Sequence, residues 1–449
     1  MKKENKLGAM PVTKLVCNVS IPLMVSMLVQ SLYNLVDGIF VSRLNEDALT
    51  ATSLAYPVQM LMIAVTVGTG VGINTLIAQA LGKKQPKTAN RIAGNGFLAA
   101  ICWSLFFMAA GLCFARPFLS LFTANKQILG YAVSYLQICM SLSGGFFLAT
   151  TGERTLQATG KTFLSMLAQL SGAVCNLILD PIFIFGLLGV PKLGIRGAAI
   201  ATVIGQWLAA AAALLFNQIK NTEIRPTRKD FLPDRKILGS IYRIGIPTIL
   251  TQTMGSIMVF SMNKILYPFS STAVAFFGVY YKLQNFLYMP INGLAMGLLP
   301  IVGYNYGAQK YARVQQAFYT VLRLAAGVMA AGTTVFMLFP RQLLILFSAG
   351  TAMQKIGVPA LRIIAPVFVL TGVTVSIGYY FSGLGNAIVN MIATALRQVV
   401  LLVPLIYAFS RWFGLGSAWY AMWISEAAAA GFSVWFYQHR PLSGKRTGI

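Results

Sequence analysis

Charge is what this chain has least of. Asp and Glu together number 10 in 449 residues, all charged types reach only 10%, and the one histidine is His439. A soluble protein of this length needs far more charge to cover its surface, so lipid is the solvent for most of the chain. No GxxxxGK[ST] loop and no HExxH pair occurs, which excludes nucleotide-driven or zinc-protease chemistry of those types. The five cysteines (Cys17, Cys102, Cys113, Cys139, Cys175) form no CxxC pair and sit in or beside apolar runs. They read as small packing residues rather than a disulfide or metal framework.

What is abundant is apolar sequence: 57% hydrophobic residues, with a mean hydropathy of +0.70. Runs near the roughly 20 residues needed to cross a bilayer recur along the whole length. They predict an all-α polytopic membrane protein with twelve spans, at 18–43, 52–80, 93–115, 128–151, 163–186, 195–219, 245–268, 273–303, 317–339, 357–381, 388–410 and 415–437. The first run is too long for a signal-peptide core and is read as a retained span. Of 35 Lys and Arg, 23 fall in alternate loops and tails on one side and 8 on the other. That positive-inside bias predicts a cell-membrane protein with both termini cytoplasmic. It explains the net charge of +25 through anionic lipid, without nucleic acid.

The two halves match at a constant offset of 225: Ile21-Pro22 with Ile246-Pro247, Tyr56 with Tyr281, Gln59 with Gln284, and Gly68, Gly72 and Gly82 with Gly293, Gly297 and Gly307. Gly160 and Met166 match Gly385 and Met391, and after a short gap Gly194 and Ala198 match Gly414 and Ala418. Six spans per half is an even number, so both halves enter the membrane in the same direction. This predicts two six-helix bundles related by a pseudo-two-fold axis along the membrane normal. The expected division is an N-terminal lobe at 1–219, a cytoplasmic linker at 220–242 and a C-terminal lobe at 243–449. The glycine runs at 68–74 and 293–297 suit close helix contact or bending.

The few acids locate the chemistry. Four lie in or beside apolar spans: Asp37, Glu153, Asp180 and Glu426. A carboxylate at bilayer depth is costly and is a functional candidate by default. Asp37 lies seven residues before Leu44, Asp180 six before Gly186, and Thr202 seven after Ile195. All three therefore sit about 10 Å below the same membrane interface. Asn176 is one turn from Asp180 on the same face. Two carboxylates, an amide and a hydroxyl make an oxygen-lined site suited to a shared proton or to a small hard cation such as Na+. At offset 225 the second half has Met262, Leu401 and Leu405 in place of Asp37, Asn176 and Asp180, so the cluster is not duplicated. Glu153 beside Arg154 reads as an interfacial pair. Glu426, near mid-depth, is placed to attract a cationic substrate or to answer Lys282 or Arg397. Lys282, among Tyr280, Tyr281, Gln284 and Asn285, is expected to face an aqueous cavity, and Lys264, Arg362 and Arg397 to snorkel or pair. The 29 Phe, 18 Tyr, 6 Trp and 19 Met include enough soft and aromatic surface to line a cavity for flat organic cations, although most of them serve packing and lipid contact.

The segments IPLMVSMLVQSLYNLVDGIFVSRL (21–44), LQATGKT (156–162), NLILDPIFIFG (176–186), GIRGAAIATVIGQ (194–206) and MPINGLAMGLLPIVGYNYGA (289–308) together resemble the multidrug and toxin extrusion family, over nearly the whole chain. The likeness is to the bacterial branch with acids in the N-terminal lobe. It implies an antiporter that expels organic cations and other toxic compounds in exchange for protons or sodium, with its cation site at Asp37, Asn176, Asp180 and Thr202. It also implies cavity-lining places for Gln30, Tyr33 and Gln206. Span seven carries no acid here, unlike another branch, which weighs against a cation site in the second lobe. No cofactor beyond the coupling ion is expected, and a monomer is the default because one chain holds both lobes. One rival is a flippase for a lipid-linked precursor, which would need Lys282 and Arg397 in one cationic cavity. The other is a membrane enzyme, for which no nucleophile or metal set is present.

Overall fold

The computed structural model describes residues 5–347 and 349–440 of the chain. Lys2, Lys3, Lys445 and Arg446, counted above for topology, lie outside the described residues. Among the described residues twelve helical segments run in order: α1 (Val12–Ser42), α2 (Glu46–Gly82), α3 (Pro86–Ser120), α4 (Lys126–Ser141 with Gly144–Ala158), α5 (Thr162–Phe185), α6 (Ile195–Lys220), α7 (Arg235–Leu266), α8 (Ser271–Gly307), α9 (Tyr311–Leu338), α10 (Thr351–Ile364 with Val367–Gly383), α11 (Ile388–Trp412) and α12 (Leu415–Ala418 with Ala421–His439). The first eleven, each bent pair taken as one, are long and apolar enough to cross a membrane. All twelve segments together form two six-helix bundles. Large apolar side chains such as Phe106, Leu112, Phe114 and Trp412 stand exposed on the outside, as a lipid-facing surface requires.

Three departures from the sequence reading have simple causes. Spans four and ten are bent, by 46° and 51°. The breaks fall at Leu142–Ser143, before the Gly144-Gly145 pair, and at Ala365–Pro366, where proline cannot continue the helix. The linker is also shorter than the 220–242 expected, because α7 is already helical from Arg235. Asp234 caps that helix, accepting from the Lys236 and Ile237 amides, and pairs with Arg91 of α3.

The repeated glycines form the seam between bundles. A Cβ on Gly68 or Gly72 of α2 would strike α7 at Gly245 and Ile241. Their counterparts Gly293 and Gly297 of α8 lie against Met24 and Ser20 of α1, the span equivalent to α7. Gly82 packs on the Tyr304 carbonyl and Gly307 on the Gln79 carbonyl, completing the exchange. Such contacts bring backbones together without desolvating any side chain. Hydrogen bonds reinforce them: Ser20 Oγ donates to Leu294 O (3.1 Å), Thr75 Oγ1 to Ser382 O (3.2 Å) and Gln79 Nε2 to Gly383 O (3.1 Å). All of these lie in the half of the molecule that carries both termini.

The chain start joins this seam. A short helix, Lys6–Ala9, precedes α1. Asn5 donates to Thr159 O (3.2 Å) and to Glu223 Oε2 (2.6 Å) in the first half. The Leu7 and Met10 carbonyls accept from Arg313 of the second half, and Leu7 O also from Asn305. Burial raises the Glu223 carboxyl above the ordinary range, against the opposing effect of nearby Lys161.

Candidate functional site

The N-terminal bundle gathers the four expected residues at one place. Asp180 precedes Pro181 in α5, six residues from the left-handed cap Gly186 (φ 78°). Only glycine takes that cap conformation without strain, so the helix ends cleanly there. Asn176 lies one turn further in, and its Nδ2 donates to Asp180 Oδ1 and to Thr202 Oγ1 of α6, both at 3.3 Å. Asp37 of α1 faces Asp180 closely enough for one proton to bridge the two carboxyls. Tyr33, one turn before Asp37, reaches Thr202 with its hydroxyl and stands beside both carboxyls.

The site is short of donors. Asp37 Oδ1, Asp180 Oδ2 and Asn176 Oδ1 are all buried, and none has a hydrogen-bond partner among the described residues. The Asn176 amide nitrogen is already committed to Asp180 and Thr202, so rotating that amide cures nothing. Three bare acceptor oxygens in a buried cluster call for a proton, a cation or water. Na+ fits the donor chemistry, since it binds hard oxygens. Among the described residues no three His, Cys, Asp or Glu side chains cluster as for a metal, so such an ion would rely on Asn176 and Thr202 as well as the carboxylates.

The other expected lining residues scatter. Gln30 accepts from Gln169 Nε2 of α5 at 3.2 Å. Gln206 is half-buried on α6. Tyr33 belongs to the Asp37–Asp180 cluster rather than to a separate lining. Two neighbours of Asp37 were missed, Tyr135 and Cys139 of α4, and with them Gln59 of α2, whose Nε2 donates to the Tyr135 hydroxyl at 3.3 Å. The repeat marks Gln59, but nothing in the sequence ties it to Asp37. All five cysteines are free.

A cavity lies in the C-terminal bundle, among Tyr280, Gln284, Tyr288, Arg397, Gln398 and Glu426. Arg397 Nη1 pairs with Glu426 Oε1 at 3.2 Å, both nearly buried. Of the two partners foreseen for Glu426, the structure selects Arg397. Lys282 is exposed and off the cavity, while Tyr281, Gln284 and Asn285 line it. The expected cavity-facing lysine is therefore corrected: it lies on another face of α8. Glu153 and Arg154 feel each other's charge but form no direct ion pair. Adjacent residues diverge by about 100° around a helix. Arg154 turns to Gln157 (3.0 Å) and against Met296 of the second half.

The MatE family profile matches residues 22–182 and 247–408, one copy in each half. A Multidrug export protein MepA from Staphylococcus haemolyticus is 26% identical over 421 residues, covering 93% of this chain and 91% of that protein. A MepA from Staphylococcus aureus is 26% identical over 426 residues, covering 94% and 92%. Among solved structures, an outward-facing multidrug resistance MATE family transporter of the MOP superfamily superposes with a TM-score of 0.91, at 28% identity and 98% coverage of both chains.

Proposed function

The chain belongs to the MatE family, and from that premise we propose that it exports small organic cations and other toxic compounds in exchange for protons or sodium, by alternating access. The observation that carries this reading is the set of three donorless oxygens on Asp37, Asn176 and Asp180. A coupling ion must find a site that is incomplete without it and from which it can depart.

The cycle follows from the chemistry. The bundles meet on the terminus-bearing side, which the positive-inside bias makes cytoplasmic, and the cycle is taken from an outward-open state. A proton or Na+ arriving from outside neutralises the repulsion between Asp37 and Asp180. Once the carboxylates share a cation, α1 is free to repack against α5 and α6. Tyr33 stands beside both carboxyls, so repacking of α1 weakens the hold on a bound compound and releases it outside. The return passage carries the ion inward and reloads substrate from the cytoplasm or inner leaflet. The membrane potential supplies roughly 2.3 kcal/mol per charge per 100 mV. The unit is a monomer in lipid, with both termini cytoplasmic.

The flippase reading loses its main support, because Lys282 and Arg397 do not share a cavity and Arg397 is paired with Glu426. The test is efflux of a fluorescent cationic dye from proteoliposomes, under a pH gradient and a sodium gradient imposed separately. Transport driven by one gradient and lost in Asp37→Asn is expected. Full gradient-driven efflux in Asp37→Asn would overturn the scheme.

A further inference from the structure

The cavity of the C-terminal bundle occupies the counterpart of the cation site's surroundings. The repeat relates Gln284 to Gln59 and Arg397 to Gly172 at offset 225. After the short gap it relates Ser425 to Gly205 and Glu426 to Gln206, at the offset set by Gly194 and Gly414. In the first bundle Gly172 and Gly205 let α5 and α6 touch: a Cβ on Gly172 would lie 2.6 Å from the Gly205 carbonyl, and one on Gly205 2.7 Å from the Gly172 carbonyl. In the second bundle an arginine and a serine stand at those places, and the helices enclose a cavity instead. Arg397 lies in a π-helical turn, Leu396–Val400, in the middle of α11. Such turns insert an extra residue and re-aim the side chains within them, often at functional sites. Here the guanidinium is aimed at Glu426.

The two bundles also differ in how their carboxylates are satisfied. Asp37 and Asp180 each keep a buried oxygen with no donor, whereas Glu426 has Oε1 paired with Arg397 and no donorless oxygen fully shut away from solvent. An isolated carboxylate at this depth would have to recruit a cation from solution, because burying the bare charge is prohibitive. Glu426 has one supplied by its own bundle, and guanidinium stays charged under all working conditions.

We propose that Arg397 is a tethered cation. Its guanidinium does for the buried carboxylate of the second bundle what an exchangeable ion does for those of the first, about two turns from Leu405, the counterpart of Asp180, so Glu426 never binds a proton or Na+ and ion coupling is confined to one bundle. The consequence for coupling rests on the antiport reading above. The occupation of Glu426 by Arg397 does not.

The experiment is labelling of the purified full chain with a hydrophobic carbodiimide, which modifies carboxylic acids that hold a proton in apolar surroundings, with mass spectrometry to locate the adducts. In the native protein Asp37 or Asp180 is modified and Glu426 is not. In Arg397→Gln, Glu426 becomes modified at least tenfold more than in the native chain, while Arg397→Lys, which keeps the charge, leaves it protected. Modification of native Glu426 at the rate of the aspartates would overturn the proposal, as would an unmodified Glu426 in Arg397→Gln. If Arg397→Gln does not purify as a folded protein, the native and Arg397→Lys chains decide the matter, since labelling of Glu426 in both overturns it. Failure of Asp37 and Asp180 to react, with Glu426 behaving as expected, would count against the coupling site alone.

Discussion

In the first bundle Gly172 lies flat on Gly205, with Asn176, Asp180 and Thr202 gathered on the same pair of helices. In the second, the corresponding helices enclose a cavity lined by Arg397, whose partner across it is Glu426. One architecture thus contains a carboxylate cluster that lacks positive charge and a cavity that supplies its own. Duplication preserved the scaffold and the seam between the halves. The interiors were free to diverge, because packing between the bundles depends on glycines that face outward from both.

The difference can be strained from either side. Glu426→Leu strands Arg397 in the C-terminal cavity, and loss of one partner of a buried pair costs about 3–5 kcal/mol. The midpoint of thermal unfolding in detergent should fall furthest for this change, and combining it with Arg397→Met should recover most of the loss. Next comes Asp180→Asn, which should lower gradient-driven dye efflux on the order of 100-fold, about 2.7 kcal/mol, with little change in thermal stability. Gly172→Val drives a side chain into the Gly205 backbone and should destabilise the chain by about 1–3 kcal/mol, the usual cost of overpacking. Ser425→Ala, at the place corresponding to Gly205, should stay within about 0.5 kcal/mol. The smallest effect on transport is expected from Thr202→Ala, which removes one neutral oxygen. The gradient giving half-maximal efflux should rise about fivefold, near 1 kcal/mol.

Much of this was legible in the sequence, for physical reasons. Charges are so scarce that Asp37 and Asp180 stood out, and rise per residue along regular helices was enough to bring them to one depth. The glycine repeat was visible because a backbone contact tolerates no other side chain on either half, so both copies kept it. The direction of Lys282 was hidden: α8 is apolar on most of its circumference, and periodicity does not say which face a lone lysine takes. The role of Arg397 depends on a π-turn, and no residue type in LRQVV announces one. Glu153 and Arg154 looked paired because they are adjacent in the chain, and adjacency on a helix is the wrong neighbour relation. The start of α7 was mistaken for linker because its first turns project beyond the apolar span and are polar there.

The helix Lys6–Ala9 is grasped from both halves, through Asn5 on one side and through the Leu7 and Met10 carbonyls on the other. A segment held in this way is a natural strain gauge. If the bundles part on the terminus side during each cycle, one set of its bonds must break before the other. A small fluorophore at Lys6 would then brighten or dim with every turnover, making the beginning of the chain a reporter on a movement that takes place across the thickness of the membrane.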